Sequence, residues 1–596
     1  MNVKRLAFAF SAVLLLVLSL WFITDHQEEN RAVEIDTTFK ASMDDMMAED
    51  LTMTITMFLH QLEETLISWD SLNLSDEQQK EEMINELEDH KHIYGFMKKV
   101  KGNETVEAGE VSFDDFSMLK HKKDNEIKVS DPFIKQGTKR ILIGREEKNE
   151  AFLAELNLAF IEDFIKDFAV LTDSNGQFFM GNGDMDVAFS DEEAELPFAK
   201  KEIPELGWSL YVQSEEVSVE EEHVKHGEVI VDLVPETNAE EWASEKNVLI
   251  VDQLDSKIVI RDPKRKPDEL IELWQEDPSV IQMEPNYTYS KQVRQNPVEK
   301  ENVFKTYRKI PMPNDEFYKE YQWNLSQVFA EDAWPFSIGE ESIPIAIIDS
   351  GIDPEHIDLT GKIIEGYNAF EGNEDYHDEH GHGTHVAGIA GAITNNMDGI
   401  AGVSWNNPLL AVKVLDHNAE GNSFSIAKGI IWAVDHGAKV INLSLGDSHN
   451  SEIMHDAILY AYKNDVVLIA ASGNDNVEEP MYPAAYSEVL AVSAVTPHGE
   501  KAFFSNYGDY IDVTAPGEHI PSTFPGDQYV IMSGTSMASP HVAGMAGLIR
   551  SINPELTNEE VYQLIRETSE DLGDKGYDPY YGHGLINIKK AMEAAS

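Results

Sequence analysis

The second half of this 596-residue chain predicts a doubly wound α/β fold on a mainly parallel sheet. Three observations carry that expectation. Continuous apolar runs recur at 343–348, 409–415, 440–444, 466–471 and 489–495, as strands buried on both faces require. Segments with helical spacing, 425–436 and 453–463, fall between them. Asp349 and Asn474 each follow such a run, on the side of the sheet where active sites of these folds form.

The chain is too long for one core and divides by composition into five parts: 1–29, 30–222, 223–290, 291–314 and 315–596. In the first, Lys4 and Arg5 precede an apolar run over 6–23, long enough to approach a bilayer's thickness. A positive flank ahead of such a run places the rest of the chain outside the cytoplasm. No small-x-small cleavage signal ends the run, which favours a membrane anchor over a signal peptide. There is no cysteine, so disulfides and thiol chemistry are excluded. The formal net charge of −62 speaks against nucleic acid as a partner.

In 30–222, apolar positions Met46, Leu51, Ile55, Phe58, Leu62 and Leu66 recur every three to four residues and predict a long amphipathic helix within 36–78. A mixed α+β pattern follows, with two short strands around Ser174-Asn-Gly176 and a last strand over 203–212. This layout bears a weak likeness to extracellular Cache/PAS-like sensor domains. The acidic stretch 215–222 reads as a linker. Residues 223–290 then give strand 228–234, helix 239–244, hairpin 248–261, helix 267–274 and strand 279–287, the ferredoxin-like split βαβ order. Residues 291–314, rich in Lys, Arg, Asn and Pro, read as an exposed linker of the kind that is readily nicked.

Four motifs in the last part carry chemistry. Ile345-Ala-Ile-Ile-Asp-Ser-Gly-Ile-Asp353 ends a buried run in a carboxylate. His382-Gly-Thr-His-Val-Ala-Gly388 and Gly534-Thr-Ser-Met-Ala-Ser-Pro-His-Val-Ala-Gly544 set an imidazole and a hydroxyl among small residues. Ala470-Ala-Ser-Gly-Asn474 ends another run in an amide. A serine hydroxyl needs a base to become nucleophilic, imidazole titrates near neutral pH, and a carboxylate fixes its tautomer. These motifs, in the order Asp, His, Ser, resemble the subtilisin-like serine peptidases over roughly 317–596. The resemblance implies Asp349 as orienting carboxylate, His382 as general base, Ser536 as nucleophile and Asn474 as oxyanion donor. His385 and His541 match packed structural positions, and His380 departs from the asparagine often found there.

By the same resemblance, an extended peptide adds to strand edges at 419–421 and 444–446. Gly421, Ser444, Leu445 and Gly446 then bind substrate, with Ala471, Gly473 and Met481 around the S1 pocket. Met481 stands where some relatives have glycine, which implies a shallow S1. A tight Ca²⁺ site is implied at Gln322, Asp358 and Asn396, the last exchangeable with Asn395. Position implies that 223–290 is a propeptide that occupies the cleft and is cut off between 289 and 314. The expected protein is an extracytoplasmic, monomeric, self-processing endopeptidase acting on polypeptides. Two alternatives stand beside it. The imidazole cluster 377–385 suits a zinc hydrolase but leaves the Gly534–Gly544 motif unexplained. The chain also fits a membrane-tethered sensor whose peptidase part is a processing device.

Overall fold

The computed structural model describes residues 312–596 throughout and 42–291 with breaks, the longest at 159–176, 182–198 and 214–223. The apolar run 6–23, the acidic linker, the Ser174–Gly176 turn and linker residues 292–311 lie outside the described residues.

The last part is a seven-stranded parallel sheet in the spatial order Ile363–Asn368, Leu409–Lys413, Ile345–Asp349, Val440–Leu443, Val467–Ala471, Leu490–Val495, Val513–Pro516. The chain enters at the third strand, winds to the near edge, returns and winds to the other, so the doubly wound expectation holds. Alternate side chains serve two cores, as the two-residue period of a strand requires. Ile345, Ile347, Leu409, Ala411, Val467 and Ile469 pack beneath the helices His382–Gly391 and Thr535–Ile552. Ala346, Ile348, Leu410, Val412, Leu468 and Ala470 face the helices Ser423–Asp435 and Glu452–Lys463. The two outermost strands were not expected: Ile363–Asn368 is partly exposed, and Val513–Pro516 is four residues ending in proline. The run 440–444 splits at Ser444, whose neighbours Leu445–Gly446 form a separate short strand.

Ahead of this sheet, strands Val224–Leu233, Leu249–Leu254, Lys257–Arg261 and Val280–Lys291 stand in the spatial order second, third, first, fourth, all antiparallel. Helices Ala239–Lys246 and Pro267–Trp274 cover one face through Trp242, Ala243 and Leu270, which pack on Val229, Val231, Ile258 and Ile260. This is the ferredoxin-like order. The opposite face supplies Ile230 and Val259 to the second peptidase core, so the small unit is seated on the large one.

The expected N-terminal helix runs through 42–63 and 65–69, and a second helix, Asp76–Asp89, follows a break. Met46, Leu51, Ile55, Leu62 and Leu66 are all buried. Seven antiparallel strands between Ile93 and Asn157 form one sheet, and Gln177–Gly181, Ala199–Ile203 and Trp208–Gln213 form another. Among the described residues, no helix is long and apolar enough to cross a membrane.

Candidate active site

Asp349 ends the strand Ile345–Asp349, third of the seven, and is fully buried. Its Oδ1 accepts from His382 Nδ1 at 2.7 Å and from the Ser350 N–H at 2.7 Å. His382 opens its helix after Gly381, whose φ of +102° is a left-handed value open to glycine. At Gly383 a Cβ would come within 2.1 Å of Gly351 O, so the glycine lets the helix press against the end of the Asp349 strand. Asp378 ties this junction together. Its Oδ1 accepts from Ser350 Oγ at 2.9 Å, and its Oδ2 accepts from the Thr384 N–H at 2.9 Å and Thr384 Oγ1 at 2.6 Å. With Nδ1 committed to Asp349, His382 Nε2 is buried and hydrogen-bonded to none of the described residues.

Ser536 stands in the first turn of the helix Thr535–Ile552, where N–H groups have no acceptor within the helix. That helix crosses the His382 helix closely: a Cβ at Gly544 would meet Ala390 O at 2.8 Å. Ser536 Oγ donates to Ser444 O at 2.9 Å, and Ser444 Oγ donates to Ser536 O at 2.9 Å. Asn474 Oδ1 accepts from the Thr535 N–H and from Thr535 Oγ1, both at 2.9 Å, which turns the Nδ2 end of the amide away from Thr535. The four expected catalytic residues are thus placed at the C-terminal ends of strands or the starts of two packed helices.

The imidazole cluster does not converge. No three acidic or imidazole groups among the described residues could hold a metal ion. His385 Nε2 donates to Val530 O at 3.1 Å, and burial together with nearby His382 pushes its pKa down to about 3. His541 accepts from Asn324 Nδ2 at 2.7 Å and donates to Met537 O at 2.8 Å; burial takes it to about 4. Both are neutral packing groups.

The cleft holds a strand of the chain itself. Val280–Lys291 pairs antiparallel with Glu420–Asn422, placing Tyr289 opposite Gly421, and with Leu445–Gly446, placing Ser290 opposite Gly446 and Lys291 opposite Leu445. Tyr289 is fully buried, and its hydroxyl donates to His449 O at 3.0 Å. Lys291 Nζ reaches His380 Nε2 at 3.0 Å, two residues ahead of His382. Further back, Glu284 caps the helix Glu452–Lys463, accepting from Ser451 Oγ and the N–H groups of Glu452 and Ile453 at 2.8–3.1 Å. Burial raises its pKa. Ala471 ends its strand, and Met481 packs against Gly473, where an added Cβ would come within 2.9 Å of Met481 Cγ.

At the implied calcium site, Asp358 Oδ1 accepts from Asn396 Nδ2 at 2.8 Å. Its Oδ2 accepts from the Ile400 N–H at 2.9 Å and the Tyr529 hydroxyl at 3.0 Å. Burial lifts Asp358 to about 7. Gln322 is not brought to this carboxylate. Its amide is spent on Ala401, donating to the carbonyl at 2.8 Å and accepting from the N–H at 2.7 Å. Asp315 stands by the loop instead, both its oxygens accepting from the Asn395 N–H at 2.8 and 2.9 Å. Burial raises the pKa of Asp315, and the Asp315 charge adds to the rise at Asp358. Two desolvated carboxylates suit a hard cation, with Asn396 Nδ2 turned to Asp358 and its Oδ1 accepting from the Asp398 N–H at 3.2 Å.

Residues 340–584 match the family model described as Subtilase family. Over 382 residues the chain is 39% identical to a thermophilic serine proteinase of Bacillus sp. (strain AK1), covering 63% of this chain and 90% of that protein. It is 41% identical over 283 residues to thermitase of Thermoactinomyces vulgaris, covering 47% of this chain and 99% of thermitase. The crystal structure of fervidolysin from Fervidobacterium pennivorans, a keratinolytic enzyme related to subtilisin, superposes with a TM-score of 0.55 at 26% identity, over 63% of this chain and 62% of that one. With the first two relatives spanned nearly end to end and the parallel sheet in place, the chain belongs to the subtilase family and is a subtilisin-like serine endopeptidase.

Proposed function

We propose that the chain is a self-processing zymogen that hydrolyses peptide bonds outside the cytoplasm. The observation that carries the mechanism is the fully buried Asp349–His382 contact of 2.7 Å, which leaves Nε2 as the one ring nitrogen open to a reaction. In the proposed cycle His382 Nε2 takes the Ser536 proton as Oγ attacks the scissile carbonyl. Asp349 holds the Nδ1–H tautomer and stabilises the imidazolium. The Ser536 N–H and Asn474 Nδ2 receive the oxyanion at the positive end of the Thr535–Ile552 helix. His382 then passes its proton to the leaving amine, and water repeats the sequence on the acyl-enzyme. Asn474→Ala is expected to lower kcat by about 10²–10³-fold with little change in KM, a size taken from the corresponding residue of the relative subtilisin. Steady-state kinetics on a peptide substrate checks it; an unchanged kcat would remove Asn474 from the oxyanion site.

Residues 223–290 are read as the propeptide, because their last strand lies on both cleft edges as a substrate would. The match to the AK1 proteinase supports this, since its 382 residues reach well beyond the catalytic unit into that segment. The cut falls shortly after Lys291, within 291–314. Export rests on the apolar run 6–23 and on a further relative named minor extracellular protease Epr, of Bacillus subtilis (strain 168), 44% identical over 269 residues. Met481, which packs against Gly473, is read as the side chain that makes S1 shallow. Ala and Leu at P1 are therefore expected to give at least severalfold higher kcat/KM than Phe in otherwise identical peptides; a Phe preference would refute the shallow pocket.

Asp315, Asp358 and Asn396 would hold calcium, which supplies charge neutralisation for the two buried carboxylates. Ligand at a hundredfold excess over Kd adds about 2.7 kcal/mol, and each kcal/mol moves Tm of a domain this size by about 2–4 °C. Chelation of the Ser536→Ala chain should thus lower Tm by roughly 5–10 °C, read by calorimetry. A Tm indifferent to chelator and to added calcium would count against the site.

A further inference from the structure

We propose that helix 42–63, with the described residues that follow it up to 213, forms a clamp that stays bound to the peptidase domain after the linker is cut. The proposal rests on the reading of a cut within 291–314, and on a surface separate from the cleft. Helix 42–63 lies against the hairpin Ile520–Phe524/Gln528–Met532 and against the loops that lead to it.

Three layers of contact make that surface. The first is a carboxylate–imidazole pair sealed from solvent. Asp50 is 1% exposed, His519 6%, and Asp50 Oδ1 lies 2.7 Å from His519 Nδ1, with Ser533 Oγ donating to the same oxygen at 3.4 Å. The second is backbone recognition: Thr54 Oγ1 accepts the Ile531 N–H at 3.0 Å, while its own hydroxyl donates back to Asp50 O at 2.9 Å. The third is apolar. Met57 is 1% exposed and completes a cluster with Phe317, Ala392, Ile400, Tyr529 and Ile531. At the margin His60 meets the Tyr321 hydroxyl at 3.2 Å, and His92 meets Gln528 Nε2 at 3.2 Å.

Removing one partner of a buried carboxylate–imidazole pair is strongly unfavourable, because the other is left desolvated and alone, so the pair makes the seat specific. Apolar side chains on both sides add a driving force that does not depend on the peptide link. None of these contacts involves the propeptide, which docks on Glu420–Asn422, Leu445–Gly446 and the Glu452–Lys463 helix. Loss of the propeptide therefore leaves the clamp in place. The clamp is an addition to the peptidase rather than a part of its fold, since 283 residues of this chain span 99% of thermitase. It also bears on catalysis at a distance: His519 N–H donates to Ser533 Oγ at 2.7 Å and Gly534 N–H to Gly517 O at 2.7 Å, so Asp50 grips the loop pair immediately ahead of Ser536. Whatever holds residues ahead of 42 goes on holding the mature enzyme.

The test uses the full chain carrying Ser536→Ala, with recognition sequences for an unrelated specific protease inserted within 215–222 and within 297–308. After both cuts, size exclusion at physiological salt is expected to show the N-terminal fragment eluting with the peptidase domain. Asp50→Ala with Met57→Asp should weaken its retention by at least about a hundredfold, while the uncut variant keeps its helical circular dichroism. An N-terminal fragment that elutes alone from the otherwise unaltered chain overturns the proposal. So does retention that the two substitutions leave untouched. Because the cuts come from outside and the nucleophile is absent, neither result depends on self-processing. A wild-type chain that never cuts itself would sink the zymogen reading and leave this measurement unchanged.

Discussion

Replacing Ser536 by alanine is expected to leave the purified chain at its full length and to reduce casein hydrolysis by about a millionfold, the size that the same change has in the relative subtilisin rather than one derived from this geometry. The wild type, treated identically, should appear by intact mass as two pieces divided within 291–314. The expectation is large because the residues act as one device. His382 has no proton to take once Oγ is gone, and the Asp349–His382 contact at 2.7 Å then orients a base with nothing to activate. For the same reason Ser536→Ala combined with His382→Ala should cost no more than either alone. Self-cleavage of the alanine chain at high dilution would end the assignment.

Tyr289→Ala should have the next largest effect, on inhibition rather than on turnover. The ring is fully buried in the cleft opposite Gly421, with its hydroxyl on His449 O at 3.0 Å. Truncating a buried aromatic side chain costs about 3–5 kcal/mol, or a factor of about 10² to 10³ and more in binding. The inhibition constant of segment 223–291 supplied in trans to mature enzyme should rise by that factor, and the lag before activity in the full chain should shorten. Tyr289→Phe, which keeps the ring and loses one hydrogen bond, should cost about tenfold. Inhibition by the alanine variant as strong as that by the native segment would mean that another part of the chain fills the cleft.

Much of this was legible in the residues because close packing writes itself in glycine. The clash of a Cβ at Gly383 with Gly351 O explains why the imidazole sits in a His-Gly-Thr sequence, and the same logic reads the Gly534–Gly544 helix. The parallel strands were legible from their unbroken apolar runs, and the four-stranded unit ahead of them from its alternation of periods. What was missed has no local pattern. Ile363–Asn368 is half polar because it is an edge. Asp378 acts through Ser350 and Thr384, one of them 28 residues away. Gln322 looked like a ligand by its place in the motif, yet its amide finds the Ala401 backbone, and Asp315 takes the position by the loop. The Asp50–His519 pair joins residues 469 apart and could only be seen once the chain was folded.

The two cleft edges also decide what the enzyme can eat. Glu420–Asn422 is three residues long and Leu445–Gly446 two. A longer open edge would invite sheet growth with a second molecule, but edges this short offer too few backbone partners for that. They suffice for one extended segment whose own N–H and C=O groups are unclaimed. A strand already paired inside a folded protein would have to surrender its partners to enter, and would gain fewer in return. Digestion should therefore begin at loops, tails and thermally loosened regions, and a compact protein should be cut at the rate at which it opens.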